Sequence, residues 1–137
     1  MSNFHANCLC GSVSIACEIV KREFTACHCT MCTQWGGTWM AAVVSGETAL
    51  KGAEFINVYD SSAWAERAFC SNCGTHLYYK VKTEPDLYIP VGLFSDVDDF
   101  EFSREIFHDQ KPCYYCFEND TKKFNSDDLP LADPPDA

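Results

Sequence analysis

The chain has 137 residues, 47% of them hydrophobic. That is enough for one domain with one core and excludes a disordered chain. Twenty acids against ten bases give a net charge of −10, which argues against nucleic acid as a partner, because its binders are basic on the contacting face. From Ser95 onward twelve acids face four bases, a bias read here as solubility.

In chain order, the start "MSNFHANCLCGS" lacks the basic and apolar regions of a secretory signal. No run of about 18 apolar residues follows, so no membrane span is expected. A cytoplasmic, reducing location is therefore expected, where ten cysteines serve as metal ligands or reactive thiols rather than as disulfides. "GSVSIACEI" (Gly11 to Ile19) alternates. Val13, Ile15, Cys17 and Ile19 point one way, as in a half-buried strand. "TWMAAVV" (Thr38 to Val44), "EFINVYD" (Glu54 to Asp60) and "HLYYKV" (His76 to Val81) are short and rich in aromatic or β-branched residues. "DLYIPVGLF" (Asp86 to Phe94) and "REIFHD" (Arg104 to Asp109) read as further strands. Turn signals such as "SGE", "KGAE" and "TEPD" separate them, and no segment sustains a helical stripe over three turns. The expected fold is all-β: a single domain of short antiparallel strands over residues 1–131, with 132–137 as a flexible tail.

Cysteines cluster as "CLC" (Cys8, Cys10), "CHCTMC" (Cys27, Cys29, Cys32), "CSNCG" (Cys70, Cys73) and "CYYC" (Cys113, Cys116). A tetrahedral zinc ion needs sulfurs about 2.3 Å away in four directions, which short-spaced pairs supply two at a time. "CLC", followed by Gly11, is the natural partner of "CSNCG", followed by Gly74 at a turn that favours positive φ. That pairing closes a four-cysteine structural site. It leaves Cys27, Cys29 and Cys32 with no fourth cysteine, as a catalytic zinc with one open position would be. The other pairing joins "CYYC" to "CSNCG" and frees "CLC" to cap "CHCTMC", which would close both sites. Cys17 falls in the apolar register of its strand, and Cys113 and Cys116 are read as ordinary buried or surface thiols. His28, flanked by two candidate ligands, is expected to point away from their ion. His5, His76 and His108 read as structural or exposed.

"CLCGSV", "CHCTMC" and "FCSNCGTHL", in that order, resemble the glutathione-dependent formaldehyde-activating enzymes, a family that includes the centromere protein V group. The resemblance runs from about Phe4 to about Phe124. It implies a tent-like β fold related to methionine sulfoxide reductase B. It implies a structural zinc on Cys8, Cys10, Cys70 and Cys73, and a second, more labile zinc on Cys27, Cys29 and Cys32 where a thiol substrate binds. The family's namesake reaction adds glutathione sulfur to formaldehyde and is classed as a carbon–sulfur lyase reaction. On this reading the partners are a small thiol and an aldehyde. The rival reading is a zinc-stabilised binding module without catalysis. A general acid is not identifiable from the sequence.

Overall fold

The computed structural model describes residues 4–128. Its strands are β1 (Phe4–Asn7), β2 (Ser14–Cys17), β3 (Glu23–Cys27), β4 (Met40–Val44), β5 (Thr48–Lys51) and β6 (Ile56–Tyr59), followed by β7 (Ala65–Cys70), β8 (His76–Val81), β9 (Tyr88–Pro90), β10 (Glu101–Ile106) and β11 (Lys122–Lys123). One α-helix, α1 (Thr30–Gly36), accompanies four single-turn 3-10 segments. The all-β expectation holds. The expected tail, 132–137, lies outside the described residues. No described helix is long and apolar enough to cross a membrane.

The chain forms two compact units, each assembled from two stretches of sequence. One contains the residues up to Arg22 together with Val43–Asp99; the other contains Glu23–Ala42 and the residues from Phe100 on. In the first unit, β1, β2 and β5 form an antiparallel sheet with β2 in the middle. The alternation read from the sequence is the reason: Val13, Ile15 and Cys17 are fully buried and Ile19 nearly so. Ala6 faces Ile15 across the β1–β2 pair, and both are buried. Each large aliphatic side chain so buried contributes about 1.5–3 kcal/mol. A second antiparallel run in this unit has the order β9-β8-β7-β6. Leu77 and Ile89 are fully buried in it, together with Ala68 and Cys70 of β7.

The second unit orders its strands β11-β10-β3-β4. Thr25–Cys27 of β3 pair antiparallel with Met40–Ala42 of β4. β10 runs parallel to both β3 and β11, which corrects the all-antiparallel expectation. Alternation along a strand reports which side chains are buried and carries no information on strand direction. Aromatic rings pack this unit. Phe24 stacks on Phe102 at 5.0 Å, and Phe117 meets Phe102 at 5.0 Å and Trp39 at 4.9 Å.

Several local expectations also change. The long segment at Asp86 to Phe94 forms only three strand residues and then a 3-10 turn at Val91–Leu93. The Arg104 to Asp109 strand begins earlier, at Glu101, and ends at Ile106. β1, β3, β5 and β7 carry too few residues, or too mixed a pattern, to stand out in the sequence. The two-turn α1 is shorter than the three turns that an amphipathic stripe needs to be recognised.

Candidate metal centres

Both halves of the first cluster are hairpin turns of the first unit. "CLCGS" joins β1 to β2, and "CSNCGT" joins β7 to β8. Gly11 and Gly74 adopt φ of +82° and +81°, the left-handed region that the sequence assigned to Gly74. Each turn is closed by backbone bonds: Gly11 N–H to Cys8 O at 3.1 Å, and Gly74 N–H to Cys70 O at 2.8 Å. The turns are tied to each other as well, since Leu9 N–H donates to the Thr75 hydroxyl at 3.1 Å.

The four sulfurs of Cys8, Cys10, Cys70 and Cys73 lie within 4.8 Å of one another. Cys8 Sγ is 3.6 Å from Cys10 Sγ, which is 3.8 Å from Cys70 Sγ. A disulfide needs about 2.05 Å. Four sulfurs at about 2.3 Å from a tetrahedral zinc stand about 3.8 Å apart. The donor set therefore fits a metal ion, and no described cysteine is in a disulfide.

Hydrogen bonds favour thiolate at Cys73 and Cys10. The Thr75 hydroxyl and backbone N–H pull the Cys73 thiol down to about 5. The Ser12 hydroxyl and then the Asn72 amide, 3.2 Å away, lower Cys10. Val13 N–H donates to Cys8 Sγ at 3.3 Å. Burial, by contrast, raises Cys70.

The second cluster lies wholly in the second unit. Cys27 ends β3, Cys29 is the N-cap of α1, and Cys32 sits buried in its first turn. Cys29 Sγ accepts the Cys32 backbone N–H at 3.3 Å, as a serine N-cap would. Gly37, at φ +89°, ends the helix with its N–H on Thr33 O. The sulfurs of Cys27, Cys29 and Cys32 lie within 4.8 Å of one another. Contact with Cys29, then with Cys32, and burial push the Cys27 thiol far up. Three such thiols ionise together only when a cation compensates them, and a divalent ion inverts the local logic in that way. This donor set also fits a soft metal ion.

Among the described residues Cys113 and Cys116 join neither cluster, and both are exposed. The structure thus brings "CLC" to "CSNCG" and leaves the three thiols of "CHCTMC" together. The rival pairing through "CYYC" is not the one adopted.

The residues that sequence reasoning missed surround His28. This side chain does not join the sulfur cluster and enters a buried network instead. His28 Nε2 is 2.8 Å from Glu105 Oε1, and Nδ1 is 2.6 Å from the Tyr115 hydroxyl. The Thr121 hydroxyl donates to Glu105 Oε2 at 2.6 Å. His28 is fully buried and Glu105 nearly so. The parallel register of β10 on β3 places Glu105 opposite Ala26, and His28 N–H bonds Ile106 O at 3.1 Å. Burial lowers the His28 pKa although Glu105 opposes it. Burial raises Glu105, but the Thr121 hydroxyl and His28 outweigh it, and the net shift is down. Burial thus disfavours charge on His28, while hydrogen bonds favour the ionised form of Glu105. The available signal was an acid inside a strand segment, but its partner is 77 residues away.

Beside α1, Thr30, Thr33, Gln34, Gln110, Pro112 and Tyr114 line an open cleft of about 240 Å3. Its wall carries no ionised side chain. Gln110 Oε1 accepts Thr30 N–H at 3.0 Å, and the buried Thr33 hydroxyl makes no hydrogen bond.

A mainly β chain with one four-sulfur cluster closed by two hairpin turns, and a three-sulfur cluster on a helix that borders a cleft, is a thiol-ligand protein with two candidate metal centres. Residues 3–110 match the family described as glutathione-dependent formaldehyde-activating enzyme, and the chain belongs to it. It is 32% identical over 131 residues to an uncharacterized lyase of Schizosaccharomyces pombe, covering 94% of this chain and 96% of that one. A crystal structure of a Rhodobacter sphaeroides protein shares the fold. Its TM-score is 0.58 at 21% identity, over 72% of this chain and 99% of that one.

Proposed function

We propose that the protein is a zinc-dependent lyase that adds a small thiol of the glutathione type reversibly to an aldehyde such as formaldehyde. Cys27, Cys29 and Cys32 are the ligands of the catalytic zinc. Cys8, Cys10, Cys70 and Cys73 hold a structural zinc. The observation that carries this reading is the inequality of the two clusters: four sulfurs close one, and three leave the other a position for an external sulfur. Family membership and the lyase relative support the same class.

Zinc at the three-cysteine cluster would seat the thiol sulfur and keep it deprotonated, the form that attacks carbon. The chain's own residues do the rest. The Cys32 N–H on Cys29 Sγ and the buried His28–Glu105 pair fix the turn that carries the ligands. Thr30 and Thr33, on the helix that bears Cys32, line the cleft together with Gln34 and Gln110. Neutral donors and acceptors of this kind suit the amides of a peptide thiol. Trp39 packs on Tyr115 at 4.8 Å.

The test is turnover. Zinc-loaded protein should consume formaldehyde faster than the uncatalysed mixture when glutathione is present, and Cys29→Ser should remove the acceleration. Thiol binding without turnover would leave a zinc-stabilised binding module.

A further inference from the structure

The cleft beside α1 lies wholly within the second unit, and two segments line it. Thr30, Thr33 and Gln34 come from α1, and Gln110, Pro112 and Tyr114 from the chain after β10. Gln110 ties the two together, with Oε1 on Thr30 N–H at 3.0 Å and Nε2 donating to the Ser126 hydroxyl at 3.3 Å. Thr30 and Thr33 directly follow Cys29 and Cys32. The lining therefore starts one residue, about 3.8 Å between Cα atoms, from two of the three candidate ligands. A tripeptide extends over roughly 10 Å, so a peptide thiol whose sulfur sits at the cluster has its amides within reach of this lining.

Charge is absent from the lining, and the reason is local. Gln110 is flanked by one acid and one base, Asp109 and Lys111. The Asp109 carboxylate accepts the Ser126 N–H at 2.9 Å and the Ser126 hydroxyl at 2.9 and 3.0 Å. Lys111 Nζ donates to the carbonyl oxygens of Pro112 and Tyr115 and lies over the Tyr115 ring, 4.8 Å from its centre. Both charges are thus engaged outside the lining. Two neutral groups in it remain open. The exposed Gln34 carboxamide makes no hydrogen bond among the described residues, and the Thr33 hydroxyl makes none either.

We propose that the cleft binds the peptide amides of the thiol substrate and does not read its charged ends, with Gln34 as a specificity-determining residue. This rests on the function proposed above and narrows its substrate class to amide-bearing thiols, with or without carboxylates. A carboxamide both donates and accepts, which is what a peptide N–H and C=O require. A carboxylate leaves water only for a cation or for several N–H donors. The lining holds no cation, and the chain as a whole carries −10. The two carboxylates of glutathione therefore stay solvated while its amides are bound.

The test is a calorimetric titration of zinc-loaded protein with three thiols. Glutathione has amides and carboxylates. Its diethyl ester keeps the amides and loses both carboxylates. 2-Mercaptoethanol has neither. The Gln34→Ala variant is compared with the wild type on the same thiol, so differences in thiol acidity cancel. Gln34→Ala should weaken glutathione and its ester alike, about three- to tenfold, the effect of one hydrogen bond, and change 2-mercaptoethanol less than about twofold. In the wild type, raising the salt from about 0.15 M to about 0.5 M should change glutathione affinity less than about twofold, because only a contact between charges is screened.

A Gln34→Ala loss that is equal for all three thiols would mean that the side chain acts on the helix and not on the ligand, and would overturn the proposal. So would a loss confined to glutathione with the ester unchanged, or a wild-type glutathione affinity that falls more than about twofold over the salt range, since either shows that a charge is read. Unchanged binding of every thiol by Gln34→Ala, where the wild type binds them, sinks this assignment alone and leaves the proposed function standing. Wild-type protein that binds none of the three sinks the proposed function and this assignment with it.

Discussion

Gly52→Ala tests how the first cluster is held. Gly52 has φ of +80° and lies between β5 and the 3-10 turn at Ala53–Phe55. An ideal Cβ there would stand 1.8 Å from the Ser12 backbone oxygen and 3.3 Å from Val13 Cα. Both neighbours are backbone, so no side-chain rotation relieves the contact. The chains must separate by about 1.5 Å to reach an ordinary C···O distance of about 3.3 Å. The left-handed conformation costs an alanine about 1–2 kcal/mol, and the overpacking about 1–3 kcal/mol. The total is about 2–5 kcal/mol, or roughly 6 to 20 °C in Tm for a chain of this size. Ser12 and Val13 also contact the sulfurs of Cys10 and Cys8, at 3.2 and 3.3 Å. Zinc affinity at the first cluster should therefore fall together with Tm. Gly46→Ala is the control. Its Cβ would meet Glu18 O at 3.5 Å, an ordinary contact, and its φ is not in the positive range. Thermal melts read both variants, with zinc content measured on the same samples. A Gly52→Ala protein that melts within about 2 °C of the wild type would refute the close approach of this loop to the "CLCGS" turn.

Cys70→Ser should unfold the chain, because a structural zinc contributes about 10–16 kcal/mol and a domain has only about 5–15 kcal/mol in reserve. Cys29→Ser should lose the second ion and keep near-wild-type circular dichroism. If the two variants unfold alike, the division of roles is wrong. Chelator should strip one zinc equivalent well before the other, and the first to leave should come from the three-cysteine cluster. A single concerted loss would contradict this. Glu105 has its pKa held down in the folded state, so its contribution is present above the ordinary glutamate value of about 4.3 and is lost as pH falls through the lower folded value. The stability gap between wild type and Glu105→Gln should narrow below about pH 4, and metal loss in acid is common to both. A gap that is constant down to pH 2 would show that the carboxylate is not favoured by folding.

The sequence by itself determined what local chemistry determines. Alternation at Val13, Ile15, Cys17 and Ile19 marked a core face, because a strand's side chains repeat every two residues. Spacing within "CHCTMC" and "CSNCG" marked sulfurs that could share an ion, since ligands two or three residues apart need no knowledge of the rest of the fold. Gly74 announced its positive φ because only a turn of that kind closes the knuckle. The tertiary structure decided what depends on which distant strands meet. The parallel pairing of β10 with β3 is invisible to periodicity, yet it alone brings Glu105 to His28. The choice of "CLC" over "CYYC" as the partner of "CSNCG" followed from two hairpin turns coming together, and closely spaced pairs do not announce their partners. Tyr114 and Tyr115 are adjacent and chemically identical, and only the packing of Tyr115 against Trp39 and its bond to His28 tell them apart. Ligand spacing is written in a few consecutive residues. A buried hydrogen-bond network depends on every group that closes it, and here those groups come from segments up to 87 residues apart.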